Sequence, residues 1–141
     1  MSWEIILWSA GLVLLLVVLY VIFSRFRSNS DEFERDVWHE RWKQVEAYLG
    51  SSHMGEWRLA VIEADKFLDG LLKHKGIAGN SLGERLKVAQ GKWGDLRHVW
   101  PAHLLRNKLV HDSDLTLSHG RAKQAVKDFK KAGKVLGFFD F

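Results

Sequence analysis

The sequence predicts an all-α protein: a single N-terminal transmembrane helix followed by a four- to five-helix bundle. Three observations lead there. Residues 5–23 carry no charged side chain. The remainder shows apolar residues at three- and four-residue spacing, the signature of amphipathic helices, and no strand-like alternation of useful length. One proline and seven tryptophans among 141 residues suit long helices rather than a sandwich of short strands. There is no cysteine, so a disulfide framework, a thiolate metal site and a cysteine nucleophile are all excluded. The net charge of +4 is mildly basic and selects no class of partner by itself.

The expected transmembrane helix, residues 5–23, is diluted only by Trp8, Ser9, Ala10, Gly11 and Tyr20. At 1.5 Å per residue it spans roughly 28 Å, one hydrocarbon core. A cleaved signal peptide would have a basic start, a shorter apolar core and a small-residue cleavage site. Here Glu4 precedes the run and Ser24-Arg25-Phe26-Arg27 follows it. A core helix in a chain of 141 residues is disfavoured, because this run is apolar on every face. Residues 1–4 then lie on the extracytoplasmic side and the chain beyond the span lies in the cytoplasm, because Arg25 and Arg27 follow the span and Glu4 precedes it. That places the protein in the inner membrane. Trp3, Trp8, Tyr20 and Phe26 suit the two interfacial belts.

Residues 24–30 read as a linker, with Ser28-Asn29-Ser30 as a hinge and helix cap. Residues 31–137 read as the bundle. Asp31, Glu32, Glu34 and Asp36 place negative charge at the start of its first helix, which ends at Gly50-Ser51-Ser52. The second helix runs from about Met54 to Lys75. Trp57, Val61, Ala64, Leu68, Leu71 and Leu72 form its apolar stripe, with Arg58, Glu63, Asp65, Lys66 and Asp69 assigned to the other side. Residues 76–80 form a loop that lacks the Gly-Lys-Ser/Thr ending of a phosphate-binding loop. Ser81 and Glu84 fit a capping box opening a short helix to about Gln90. A fourth helix, about 95–111, carries Pro101 and should kink or restart there. Ser118 caps the last helix, which buries Ala122, Ala125, Val126, Phe129, Ala132, Val135 and Leu136. Phe138-Phe139-Asp140-Phe141 is an apolar tail that either folds back on the bundle or touches the membrane.

Charge is unevenly distributed. Residues 31–83 hold 7 basic and 10 acidic groups, and residues 84–137 hold 12 basic and 5 acidic. Arg121, Lys123, Lys127, Lys130, Lys131 and Lys134 crowd the last helix, and Lys108 stands on the fourth. They are the candidate contacts to an anionic partner, RNA or an inner-leaflet surface. The competing reading is an ordinary solvated helix face.

The fourth helix also carries His103-Leu104-Leu105-Arg106-Asn107-Lys108-Leu109-Val110-His111-Asp112. Asn107 and His111 are four residues apart, so their side chains can meet, and His103 lies on the same side as Asn107. Arg106 and His111 are about 140° apart around the helix. One chain does not cluster them, whereas two copies facing one another bring both pairs into a shared cleft.

Arg106-Asn107-x3-His111 matches the R-x4-H signature of the HEPN superfamily, and the run Arg-Asn-Lys-Leu-Val-His-Asp resembles the corresponding run of HEPN-type toxins. The resemblance implies a helical bundle. In many members it implies a metal-independent endoribonuclease whose cleft forms across a dimer; other members are non-catalytic RNA-binding or interaction domains. On the enzymatic reading, His111 is general base or acid on a ribose 2′-OH, Arg106 binds the scissile phosphate and Asn107 orients the imidazole. The products are a 2′,3′-cyclic phosphate and a 5′-hydroxyl, and no metal or cofactor is needed. Toxin members often carry Tyr where this chain has Ser113. Residues 38–137 also resemble uncharacterised small bacterial membrane proteins with one anchor helix, through the Trp57–Asp65 segment, the Gly-rich loop before Leu86, and Ala102-His103 before Arg106-Asn107.

Two functions follow as alternatives: a membrane-anchored HEPN-like domain that binds and cleaves RNA, or a non-catalytic membrane-tethered adaptor. On the second reading Arg106, Asn107 and His111 tie the helix end to the next loop, with Asp112 or Asp114 as ion-pair partners. Trp38, Trp42, Trp57, Trp93 and Trp100 could stack bases, but aromatic residues at helical spacing are more often core. No histidine spacing suggests a metal site.

Overall fold

The computed structural model describes residues 3–139, apart from the side chains of 5, 6 and 26–34. Among these residues it is entirely helical: α1 (Trp3–Leu49), α2 (Met54–His74), α3 (Leu82–Ala89), a 3₁₀ turn (Arg97–Val99), α4 (Trp100–His111) and α5 (His119–Val135). The chain divides into two compact units, Met1–His39 and Glu40–Phe141.

The first unit contains the apolar stretch, Leu7–Arg25, with a mean hydropathy of 2.5 and every described side chain exposed. It is long and apolar enough to cross a membrane. The hinge expected at residues 28–30 is helical instead, as is the whole of the expected linker 24–30. Ser and Asn each cost only a few tenths of a kcal/mol in a helix, and neither Gly nor Pro stands between Gly11 and Gly50 to break it. The acidic side chains expected to open a new helix, Asp31, Glu32 and Glu34, lie outside the described residues.

In the second unit α2 is the central element and packs against α3, α4 and α5. Its fully buried positions include Ala60, Val61, Ala64, Leu68 and Leu72, so the apolar stripe faces the core as the spacing requires. The helix closes with two backbone bonds: Gly76 donates to Lys73 O (2.9 Å) and Ile77 to Leu72 O (3.0 Å). This closure needs a left-handed residue after the helix, and Gly76 supplies it at φ 72°. The capping box at α3 forms in modified shape. Ser81 Oγ accepts from Glu84 N (3.3 Å), but the Glu84 carboxylate accepts from Asn80 N (2.7 Å) rather than from Ser81. Ser118 caps α5 by accepting from Arg121 N (3.3 Å).

Of the two outcomes expected at Pro101, a kink or a restart, the chain takes the restart. Pro101 sits in the first turn of α4, which starts at Trp100 after the 3₁₀ turn. There its missing N–H costs nothing.

The described part of the tail folds back. Phe139 is buried against Trp42 and Phe67, with ring centroids 5.0 and 5.8 Å away, and Phe138 meets Phe67 edge-on at 5.3 Å. Asp140 and Phe141 lie outside the described residues. Phe139 covers Gly133 so closely that a Cβ there would fall 2.5 Å from the ring. Lys130 completes the cluster. It pairs with Glu46 at 2.8 Å and lies 5.9 Å from the Trp42 ring and 5.6 Å from the Phe139 ring, while Trp42 Nε1 donates to the same carboxylate at 2.8 Å. The Lys130 bond, together with the indole bond, holds the Glu46 carboxyl below its ordinary value of 4.5.

Two outcomes follow. Gly133→Ala should destabilise the bundle by about 1–3 kcal/mol, the cost of overpacking a filled core, and should expose Phe139; denaturant unfolding of the two forms followed by tryptophan fluorescence measures it. Because the folded Glu46 carboxyl titrates below the unfolded one, its contribution is complete above pH 4.5 and is lost as pH falls through the folded value. Glu46→Gln should therefore lower the unfolding midpoint at pH 7, and the difference between the two forms should shrink as pH is lowered below 4.5 and through the folded value.

Candidate functional site

The site is built from one polar stripe of α2. Arg58, Asp65 and Asp69 stand at i, i+7 and i+11, within about 40° of one another on the helix surface. Each holds a different segment. Arg58 donates to three backbone carbonyls, Leu109 O (2.8 Å), Asp112 O (2.8 Å) and Leu115 O (2.7 Å), and so clasps the end of α4 and the loop beyond it. Asp69 receives Arg85 of α3 at 2.6 Å and Lys73 at 2.9 Å, while Arg85 also reaches the Gly79 carbonyl. Asp65 receives α4. It is 3% exposed, contrary to its expected place on the solvent side of α2. Its charge does not keep it outside because two side chains of α4 partner it.

Those partners are His103 and Arg106. His103 Nδ1 lies 2.7 Å from Asp65 Oδ1. Arg106 Nε lies 3.3 Å from Asp65 Oδ2, an ion pair whose angle does not make a hydrogen bond. Arg106 Nη1 donates to Asn107 Oδ1 (3.0 Å), and Asn107 Nδ2 meets His103 Nε2 at 3.3 Å. Four side chains thus form a closed ring.

The proton positions in this ring follow from valence. Arginine has no acceptor, so the Asn107 oxygen must face Arg106. The Asn107 amide then turns its NH2 to His103 Nε2, which must carry a lone pair. The imidazole proton is therefore on Nδ1, where the Asp65 carboxylate accepts it. His103 is neutral in this arrangement, and Asp65 and Arg106 cancel in charge. His103 is 8% exposed, with Trp100 edge-on to its ring at 6.0 Å and the Gly83 Cβ position 3.4 Å from Nε2.

Of the residues in the R-N-x3-H signature, the fold brings Arg106 and Asn107 together and leaves His111 apart. Asn107, expected to orient His111, is bonded to His103 one turn earlier. His111 is exposed and has no hydrogen-bond partner among the described residues. The alternative expectation, that these three residues tie the helix end to Asp112 or Asp114, is not met either. Arg58 performs that task, and the Asp112 carboxylate accepts from Asp114 N (3.0 Å). Lys108, Arg121, Lys123, Lys127, Lys131 and Lys134 are exposed. Lys123, Lys127, Lys131 and Lys134 form one stripe along α5, about 16 Å from end to end. Lys130 borders the same stripe beside Lys123 and Lys134, with its ammonium held by Glu46. Among the tryptophans read as core, Trp42 is buried, while Trp38, Trp57, Trp93 and Trp100 are half-buried. Among the described residues no group of three or more His, Asp or Glu side chains is arranged to hold a metal ion.

Asp65 and Arg58 escaped the sequence reading because polarity alone assigned them to solvent. The available signal was their register, since Arg58, Asp65 and Asp69 border the apolar stripe rather than oppose it. Asp65→Ala should cost about 3 kcal/mol, the lower end for breaking a buried ion pair because Arg106 keeps some access to water. Asp65→Asn, which retains the hydrogen-bond acceptor, should cost less. Urea unfolding midpoints of the two variants test the order.

No family model matches this chain, and no curated protein or solved structure matches it either. Its chemistry is read from its own residues.

Proposed function

We propose that this is a single-pass inner-membrane protein, N-terminus outside, whose cytoplasmic HEPN-like bundle binds RNA. The observation that carries the binding reading is the exposed stripe Lys123, Lys127, Lys131 and Lys134 on α5, with Arg121 in the first turn. Evenly spaced, unpaired in sign and free of intervening carboxylates on that stripe, these cations suit a phosphate backbone. The anchor rests on the exposed apolar stretch Leu7–Arg25, and the orientation on Arg25 and Arg27 behind it.

Cleavage on this reading belongs to a homodimer. Arg106 faces α2 while His111 points into solvent, so one chain does not present both to one phosphodiester. Two chains with α4 facing α4 would place the His111 of each near the Arg106 of the other. His111 would then take the 2′-OH proton as O2′ attacks phosphorus, and the bond to O5′ would break with O5′ taking a proton from water to leave as the 5′-hydroxyl. The engagement of Arg106 and Asn107 in the internal ring favours the second reading, a tethered module without catalysis that holds a partner at the membrane.

The full chain in nanodiscs of neutral phosphatidylcholine, incubated with mixed RNA in EDTA, tests both. Wild type should retain RNA, and Lys123→Glu/Lys127→Glu/Lys131→Glu should retain at least tenfold less at equal salt. New 2′,3′-cyclic phosphate ends that disappear in His111→Ala would establish the ribonuclease. Retention without cleavage leaves the binding module, and absence of retention by the wild type removes the RNA reading altogether.

A further inference from the structure

The one nearly buried histidine of the bundle, His103, takes no part in the proposed chemistry, yet it is linked through Asn107 to the arginine that does. Its neutral form fits the ring without conflict: Nδ1–H to Asp65, lone pair on Nε2 to the Asn107 NH2, Asn107 oxygen to Arg106. Protonation removes that fit. Nε2 acquires a hydrogen and meets the Asn107 NH2 as donor against donor. Rotating the amide by half a turn restores the bond to His103, but it turns the NH2 onto Arg106 Nη1, again donor against donor. Arginine cannot change its role, because it only donates. The protonated ring keeps only one of the two bonds of Asn107: with the amide as it stands the bond to His103 is lost, and with the amide turned to accept from the imidazolium the bond to Arg106 is lost.

The charge of the ring changes in the same step. With His103 neutral, Asp65 and Arg106 cancel. With His103 protonated, Asp65 faces two cations and the ring carries one net positive charge. The groups bearing on His103 are few. α2 contributes Asp65, with Asp69 one turn along it held by Arg85 of α3 and by Lys73. α4 contributes Arg106 and Asn107 and the apolar wall of Trp100, and α3 contributes Gly83. Among the described residues no charged group of α5 or of the 3₁₀ turn is bonded to His103. Arg106 is itself 28% exposed at the side chain, and its Nη2 has no partner among the described residues.

We propose that Asp65, His103 and Asn107 form a proton-operated positioning network that holds Arg106 inward when His103 is neutral and, when His103 is protonated, frees its guanidinium as a binding site for a phosphodiester of RNA. The proposal rests on the RNA reading above for its ligand, but not for its mechanism. Asp65 and His103 are positioning residues here, since only Arg106 touches the phosphate.

The test uses the full chain in neutral-lipid nanodiscs with 15N-labelled arginine and asparagine. The Arg106 Nε–H and Asn107 NH2 signals are assigned by their loss in Arg106→Lys and Asn107→Ala. Without ligand, both signals should shift together between pH 7.5 and 5.5 in the wild type and stay still in His103→Asn. That variant keeps a donor toward Asp65 and cannot be protonated. In Asn107→Ala the Arg106 signal should lose its dependence on pH. A short single-stranded RNA is then added, with pyrophosphate as a second probe. The gain in wild-type RNA affinity on acidification should exceed that of His103→Asn by about tenfold, the effect of one charge-assisted hydrogen bond. The remaining histidines add the same electrostatic background to both forms. An Arg106 signal indifferent to pH, or equal gains in the two forms, overturns the proposal. Signals that shift together with pyrophosphate bound at pH 5.5 but no RNA bound uphold the switch and its phosphate site and remove the RNA reading. Failure of both probes to reach Arg106 overturns the phosphate site.

Discussion

A carboxylate at Asp65, in the middle of the central helix, can be enclosed only if something from a neighbouring element neutralises it. That requirement sets the rotation of α4 against α2. To bring His103 and Arg106 onto Asp65, α4 must turn the 103–106–107 edge inward, and Ala102, Leu105 and Leu109 then fall into the core beside it. Leu104, Lys108 and His111 are left on the outside. The polar ring and the apolar packing agree on one rotation of the helix. The ring therefore specifies a register that apolar contacts alone would hold less sharply.

The same principle repeats along α2. Arg58 satisfies three carbonyls where α4 ends, and Asp69 holds the cation of Arg85 that arches back to the Gly79 loop. Loops have backbone groups that must be bonded, and here a helix supplies the bonds. The loop after α4, which carries the residues following His111, is consequently fixed by Arg58 and by the Asp112 turn rather than by its own ion pairs. At the opposite side of the bundle, the cluster of Trp42, Phe67, Phe139 and Lys130 ties the end of α1 to α2 and α5.

The all-helical class, most helix ends and the apolar faces were legible in the sequence, because each depends on local spacing or on a cap. Ser118 and Ser81 capped where their side chains could reach an orphan N–H, and Gly76 closed α2. The continuity of α1 through residues 28–30 was not legible, since Ser-Asn-Ser resembles a cap in composition while costing a helix little. The return of Phe139 was left open between bundle and membrane; it depends on the absent side chain at Gly133, a contact 6 residues away that no periodicity reports. The Asp65 ring depends on a partner 38 positions distant in the chain. Polarity separates exposed from buried residues well only when charged residues lack partners, and on α2 they do not lack them.

The separation of Arg106 from His111 bears on why such a domain would be tethered. Residues five apart on a straight helix cannot share a face, so joint action on one phosphodiester requires a second chain. A weak α4–α4 contact in solution would rarely assemble that cleft. Confinement to a membrane restricts both orientation and volume, and it raises the effective concentration of one copy for another without adding any contact. In the proposed arrangement the anchor thus does more than localise the bundle: it sets how often the split signature is completed. On the same proposal, the proton-operated release of Arg106 would govern whether a completed pair has its arginine available, a control separate from how often the pair assembles.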